Sequence, residues 1–321
     1  MAQFSAPLLF TPFLRPLVWG GRNLTALNKT LPTPENYGES WDLSDHASHS
    51  SVVATGPFAG TTLRSLIEQH PREILGSAGG GVFPWLIKFL DAQDWLSVQV
   101  HPDDALAKRL RPGELGKTEA WFVLSAEPGS RIYAGLKPGT GPNEFRQALA
   151  QGTVADLLHS FTPRAGDCVF LPAGTVHALG GGVVLAEVQQ NSDVTFRLFD
   201  WNRVDAQGRS RQLHVDEGLS AVDWNRGPVA PVNVPVLGES DTTLSLVQCP
   251  QFNLSFVRYH RPTKAPLRGG AMKVLIVLAG QARLGGEILS PGQVWLLPAS
   301  LPDLVLEPEP FVSVLMSAVH P

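Results

Sequence analysis

The residues able to do chemistry in this chain concentrate in three short stretches. The first is Ser97-Val98-Gln99-Val100-His101-Pro102. In extended backbone alternate side chains share a face, so Ser97, Gln99 and His101 point together while Val98 and Val100 point into packing. Residues two apart on a strand lie about 7 Å apart at Cα, near enough for Gln99 and His101 to reach one ion. The second stretch, Lys117-Thr118-Glu119-Ala120-Trp121, puts Lys117 and Glu119 on a common face in the same way. The third runs from Gly166 to His177 and ends on a second imidazole. Two imidazoles, a carboxylate and an amide oxygen make a ligand set for a divalent metal, with room left for water or substrate. That is the chemistry of a metalloenzyme.

Further polar residues stand where apolar ones are expected. Lys88 sits inside Leu86-Ile87-Lys88-Phe89-Leu90, and burying its ammonium is costly unless a phosphate or carboxylate neutralises it. Glu187 and Gln189 share a face on the strand after His177. Asp193, Thr195 and Arg197 alternate onto one face if extended, which allows an Asp193–Arg197 ion pair lining a cavity. A Lys117–Glu119 pair is the plainer alternative to a substrate role for Lys117. His46, His49, His70, His159, His214, His260 and His320 read as packed, hydrogen-bonded histidines, and Trp19 and Trp41 as packing or pocket wall.

The elements that must hold these residues are mostly strands. The chain has 31 Gly and 27 Pro scattered among short apolar runs, the punctuation of many short strands joined by turns. Runs at 86–90, 96–100, 121–124, 168–171, 183–189 and 195–200 read as strands. Helical patterning is confined to 62–68, a segment near 103–115, and 142–159, where Phe145, Leu149, Val154 and Leu158 are spaced for a buried stripe. Residues 226–235 are Pro-rich and read as an extended linker. Strand-like runs resume at 244–247, 253–259, 273–278 and 312–316. Gly292 to Ala299 repeats the spacing of Gly166 to Ala173, with Asp303 falling where His177 would be. The expectation is a mainly β chain: a β sandwich or barrel with a small helical portion over 1–226, and a second, metal-free barrel of related shape over 227–321.

Composition narrows the partners. The chain has 321 residues, 43% hydrophobic and 17% charged, with a net charge of −4. There is no basic surface of the kind nucleic acid requires. No apolar run approaches the roughly 20 residues of a membrane helix, and the N-terminus, broken by Pro7 and Pro12, is a poor signal peptide. The two cysteines, Cys168 and Cys249, fit a reduced cytoplasmic protein and exclude a cysteine-rich zinc module. Nothing in the sequence sets an oligomeric state.

The Gly166 to His177 stretch resembles the second metal-binding motif of cupins, a resemblance that implies a cupin-type β-barrel (jelly roll) over 1–226 and a second, metal-free cupin-like β-barrel over 227–321. The first cupin motif is altered: Gln99-Val100-His101 replaces His-x-His, and Glu119 comes late. Gly181 stands where an Asn is usual. With these alterations the chain is similar to one family, the class I mannose-6-phosphate isomerases (phosphomannose isomerases). The shared stretches are Trp19-Gly20-Gly21, Gly38-Glu39-Ser40-Trp41, Phe83 to Ala92, Leu96 to Asp104, Gly116 to Trp121, Pro172 to Leu179 and Gln189 to Arg197. They fall in order between Trp19 and His214. No room is left between Glu119 and His177 for an extra helical domain, so the short bacterial form is the one resembled.

The resemblance implies a reaction and a set of roles. Gln99, His101, Glu119 and His177 would hold one Zn²⁺ per chain. Lys88, Ser97, Lys117 and Glu187 would bind substrate, and Arg197, Lys117 and Asp193 would be catalytic. The reaction implied is mannose 6-phosphate to fructose 6-phosphate through an enediol, with Asp193, Glu187, Lys117 and a metal-bound hydroxide all open as the group that takes the C2 proton. The alternatives are a cupin acting on another sugar phosphate, an iron- and oxygen-using cupin, which Gln99 counts against, and a non-catalytic sugar-binding cupin.

Overall fold

The computed structural model describes residues 4–76, 81–204, 207–235, 238 and 240–318; His320 lies outside the described residues. Three antiparallel sheets organise the chain. The first orders Val232–Asn233, Asp167–Leu171, Glu119–Ala126, Val183–Gln190, Trp85–Ala92, Phe13–Gly21 and Tyr37–Leu43. The second orders Leu158–Phe161, Ile132–Leu136, His177–Leu179, Val98–Val100 and Phe196–Phe199. The third follows Leu8–Leu9, Val294–Leu297, Lys273–Leu284, Leu304–Ala318, Asn253–His260 and Thr242–Gln248, with Ala265–Leu267 and Glu287–Leu289 paired alongside.

Period-two alternation explains the layering. Along Glu119–Ala126, Trp121 and Val123 join Ile132, Ala134 and Leu179 of the second sheet in one buried cluster. Their neighbours Ala120 and Phe122 point the other way, into a cluster shared with the third sheet. There Phe122 stacks on Phe256, ring centroids 6.0 Å apart. A sheet covered on both faces needs apolar residues at every position, hence the near-continuous runs in the sequence. Two strands that escaped the sequence reading, Phe13–Gly21 and Tyr37–Leu43, carry Arg15, Pro16, Gly38 and Glu39 and lack such runs. Pro16 is tolerated because the register shifts there.

Three local expectations change. The helix placed over 142–159 covers only Pro142–Gln151. Gly152, at φ 73°, ends it with its N–H bonded to Ala148 O and Leu149 O, the left-handed cap that glycine adopts without strain. A 3-10 turn, Val154–Leu157, and the strand Leu158–Phe161 follow. The segment near 103–115 is helical only over Asp104–Leu110, capped by Asp103, whose carboxylate accepts from Leu106 N at 2.8 Å. Finally, sheet membership crosses 226/227 in both directions. Leu8–Leu9 pairs with Leu296 and Trp295 in the third sheet, and Val232–Asn233, inside the expected linker, pairs with Cys168 and Asp167 in the first.

Candidate active site

Strand register assembles the site. On the second sheet Arg197 lies opposite Gln99, and Gln99 opposite His177. Neighbouring strands are about 4.8 Å apart, so these side chains form one row. On the first sheet Trp41, Lys88, Glu187 and Trp121 are successive register partners and form another. Between the rows is a cavity of about 300 Å³ lined by Lys88, Ser97, Gln99, Lys117, Glu187, Asp193, Thr195 and Arg197, among others. A larger cleft, about 860 Å³, between the Asp104–Leu110 helix and residues 248–251 holds none of the ligand candidates; chemistry, not volume, locates the site.

His101, Glu119 and His177 converge behind its lining residues Gln99 and Lys117, all buried, with one ligand atom from each lying within 4.8 Å of the others. The backbone sets the imidazole tautomers. His101 Nδ1 meets Val194 O and His177 Nδ1 meets Thr175 O, both at 2.8 Å. A carbonyl only accepts, so each Nδ1 carries the proton and each Nε2 presents its lone pair to Glu119, at 3.5 and 3.3 Å. Burial keeps both rings neutral. It pushes His177 down to about 4, and His101 well below the usual histidine range, helped by Lys117 and His177. Glu119 Oε1 has no hydrogen-bond partner and Oε2 is met by the Lys117 ammonium at 2.7 Å, so this fully buried carboxylate keeps one oxygen toward the two imidazoles, a costly state unless a cation is at hand. Two neutral Nε2 atoms and a buried carboxylate with a free oxygen suit a divalent cation. Gln99 completes the set: its Nε2 lies 3.2 Å from His177 Nε2, and its Oε1 accepts from Ser97 Oγ at 3.3 Å. Rotating the amide by half a turn brings Oε1 to the triad.

The cations around the triad are heavily paired. Lys117 Nζ lies 2.7 Å from Glu119 Oε2, 3.2 Å from His101 Nε2 and 3.9 Å from Glu187 Oε1. Burial works to lower its pKa, but Glu119 and Glu187 outweigh burial and raise it. The plain Lys117–Glu119 pair is therefore present. Lys88 is neutralised by carboxylates: Glu187 at 3.6 Å, Asp193 at 3.8 Å and Glu39 at 3.9 Å. Trp121 Nε1 donates to Glu187 Oε2 at 3.0 Å, while Glu187 Oε1 is buried without a hydrogen bond. The anticipated Asp193–Arg197 pair does not form. Asp193 binds Arg15 at 3.4 Å and Lys88 instead, and Arg197 Nη1 donates to Gln212 O at 2.8 Å. The Phe196–Phe199 strand begins only after Thr195, yet Asp193, Thr195 and Arg197 all line the cavity.

Every sequence-predicted site residue lies in or against this cavity. Glu39, Arg15 and Arg211 were missed as site residues, though all three line it. Glu39 had a signal: it stands two residues from Trp41, on the same strand face, and accepts Trp41 Nε1 at 2.7 Å. Arg15 lies 4.8 Å above the Trp41 ring, with Lys88 Nζ at 5.0 Å; Trp41 packs beneath these cations, and Trp19 and Trp121 are the tryptophans that line the pocket. Arg15 and Arg211 carry no sequence signal, because only tertiary contacts bring them in.

Comparison with known proteins agrees with this geometry. A family model described as the catalytic domain of type I phosphomannose isomerase matches residues 9–117. The mannose-6-phosphate isomerase of Streptococcus mutans is 38% identical over 87% of this chain and 86% of its own. Mannose-6-phosphate isomerase ManA of Bacillus subtilis is 35% identical over 94% of this chain and 96% of its own. The crystal structure of mannose 6-phosphate isomerase from Bacillus subtilis superposes with a TM-score of 0.85 at 31% identity, covering 97% of this chain and 99% of that one. With relatives this similar over most of its length, a cupin fold and a His–Glu–His centre at the matching motifs, the chain belongs to the type I phosphomannose isomerase family.

Proposed function

We infer that this chain is a metal-dependent aldose–ketose isomerase that interconverts mannose 6-phosphate and fructose 6-phosphate through an enediol. The reading is carried by one conjunction: relatives named mannose-6-phosphate isomerase along most of the chain, and the buried His101–Glu119–His177 triad in contact with Gln99 and Lys117, which line a polar cavity. We assign the ligands as Gln99, His101, Glu119 and His177 and the cation as one Zn²⁺, which neutral imidazoles and a carboxylate favour. Bound there, it supplies Lewis-acid stabilisation of negative charge on the substrate's carbonyl and hydroxyl oxygens.

The chain's own residues carry the proton. Moving it between C2 and C1 requires a group that accepts and returns it. Glu187 suits this task because Oε1 faces the cavity with no hydrogen bond to break, while Trp121 holds Oε2. Asp193 is the poorer base: burial raises its pKa, but Lys88 and Arg15 outweigh this and hold it low. Its role is to keep those two cations in place. Lys117 donates toward the substrate oxygens from beside Glu119, Ser97 orients the Gln99 amide, and Lys88 lines the substrate cavity and fixes Glu187. Arg197 stabilises the enediolate charge. We place the enzyme in the cytoplasm, supported by the buried thiols of Cys168 and Cys249. Among the described residues no helix is long and apolar enough to cross a membrane.

The test is mannose 6-phosphate turnover by chelator-stripped protein before and after Zn²⁺ is restored. Activity is expected only after restoration. A folded, zinc-loaded sample that leaves mannose 6-phosphate unchanged overturns the reading.

A further inference from the structure

The backbone that presents Lys117 to the cavity lies outside the sheet ladder. The strand Glu119–Ala126 begins at Glu119 itself, whose register partners are Leu171 and Gln189. Residues 114–118 before it are irregular. Lys117 sits in that stretch, yet it lines the cavity with its ammonium 2.7 Å from Glu119 Oε2. Its own N–H donates to Pro102 O at 3.0 Å. The residues on either side of it are held from another strand.

Gln190 supplies that hold. It ends the strand Val183–Gln190, one residue past the register pair of Gln189 with Glu119. Its N–H donates to Thr118 O at 3.1 Å, and its side-chain Oε1 accepts from Thr118 N at 2.9 Å. At the other end of the amide, Nε2 donates to Asp104 Oδ1 at 3.0 Å, and the same oxygen accepts from Gly116 N at 2.8 Å. The partners fix which way the amide points, because a backbone N–H needs an acceptor and a carboxylate needs a donor. Gly116 must be glycine for this approach, since a Cβ there would come within 2.5 Å of Asp104 N. Gln190 is buried and lines the larger cleft together with Asp104 and Thr118, not the catalytic cavity.

We propose that Gln190 is a positioning residue for the catalytic centre: its amide, anchored on Asp104, clamps Gly116 and Thr118 on either side of Lys117 and so sets where the Lys117 ammonium and the Glu119 carboxylate meet the imidazoles. The proposal rests on the metal-dependent isomerase reading above. Lys117 Nζ lies 3.2 Å from His101 Nε2, and Glu119 Oε1 lies 3.3 Å from His177 Nε2, so a shift of this segment disturbs both contacts. Misplacement of about 1 Å costs up to about 10²-fold in rate. Losing the support behind a metal ligand costs about 10- to 100-fold in metal affinity or activity. A carboxylate at position 190 fills the same space and can accept from Thr118 N, but it cannot donate to Asp104.

The experiment compares wild type with Gln190→Glu, with Asp104→Ala, and with the double variant Gln190→Glu/Asp104→Asn. Gln190→Glu sets two carboxylates against each other, and Asp104→Ala removes the anchor from the exposed helix side. In the double variant the introduced amide donates to the introduced carboxylate and keeps Gly116 N on its oxygen, so the bonding pattern and net charge of wild type return. Competition with a chromophoric chelator gives the Zn²⁺ Kd, kinetics gives kcat and KM for mannose 6-phosphate per bound metal, and thermal unfolding of stripped protein gives Tm. Each single variant is expected to raise the Zn²⁺ Kd and to lower kcat by about tenfold, with KM moving less than about threefold. The double variant should bring both back to within about threefold of wild type. Single variants that lower Tm while leaving the Zn²⁺ Kd and kcat unchanged overturn the proposal, because Gln190 then only stabilises the fold. A double variant no better than Gln190→Glu overturns it as well. If Gln190→Glu does not fold, Asp104→Ala decides by the same two readouts. If Zn²⁺ affinity follows the exchange in protein that does not isomerise mannose 6-phosphate, the reaction assignment fails and the positioning role stands.

Discussion

Replacing Glu119 by Gln tests the electrostatic logic of the site. The side chain keeps its shape and loses one charge from a fully buried position. Lys117 then loses its carboxylate partner at 2.7 Å and retains Glu187 only at 3.9 Å. Removing one partner of a buried ion pair costs about 3–5 kcal/mol. The remaining Glu187 contact offsets part of this, so about 2–3 kcal/mol is expected in chelator-stripped protein. Denaturant unfolding of the stripped variant measures it, and a double-mutant cycle with Lys117→Met isolates the pair, since removing both charges should restore most of the loss. The pH dependence has a definite sign. The folded pKa of Lys117 is raised, so its contribution is fully present below the lysine value of the unfolded chain and fades only as pH rises through the folded value. The cost of Glu119→Gln should therefore be flat between pH 6 and 9. The same variant should lose stoichiometric metal. A stripped variant as stable as wild type, with no coupling to Lys117, would refute the claim that this carboxylate depends on a neighbouring cation.

Two further outcomes follow from the packing and from the Glu187 oxygen that carries no hydrogen bond. Glu187→Gln should lower kcat by about 10²-fold or more, in the range of a lost general base, while metal content is retained; steady-state kinetics with metal analysis decides it, and near-normal kcat would shift the proton transfer elsewhere. Truncation after Arg226 tests the proposed division into 1–226 and 227–321. It removes the partners of Phe122 and of Leu8–Leu9 and the Gln251 carbonyl bound by Trp85 Nε1 at 3.0 Å, and strips the third sheet from a shared apolar core. The fragment should be insoluble or partly unfolded by circular dichroism, and a monomeric, cooperatively folded fragment that binds metal would show that the core is not shared in the way described.

The sequence by itself determined the kind of protein and the inventory of its centre. Gln99 with His101, and Lys117 with Glu119, were legible as pairs sharing a face because strand backbone has a period of two; that His101, Glu119 and His177 meet was decided by the pairing of separate strands. Mostly-β architecture was legible because a sheet buried on both faces needs continuous apolar runs. Strands such as Phe13–Gly21, with few such runs, stayed hidden until their partners were known. The break of the 142–159 helix at Gly152 was present as a residue type, yet its use as a cap depends on the following strand finding Ile132–Leu136. Only tertiary structure decided which charge meets which. Lys88 announced the need for a neutralising partner, but the answer, three carboxylates from three different segments, is a matter of register across strands. The same holds for Asp193, which turned from Arg197 to Arg15 and Lys88, and for Arg211, brought beside Arg197 by the pairing of residues 212–214. Local sequence encodes side-chain direction along one strand. The electrostatics of a cavity depend on distances between strands far apart in the chain, and those exist only once the sheets have closed on one another.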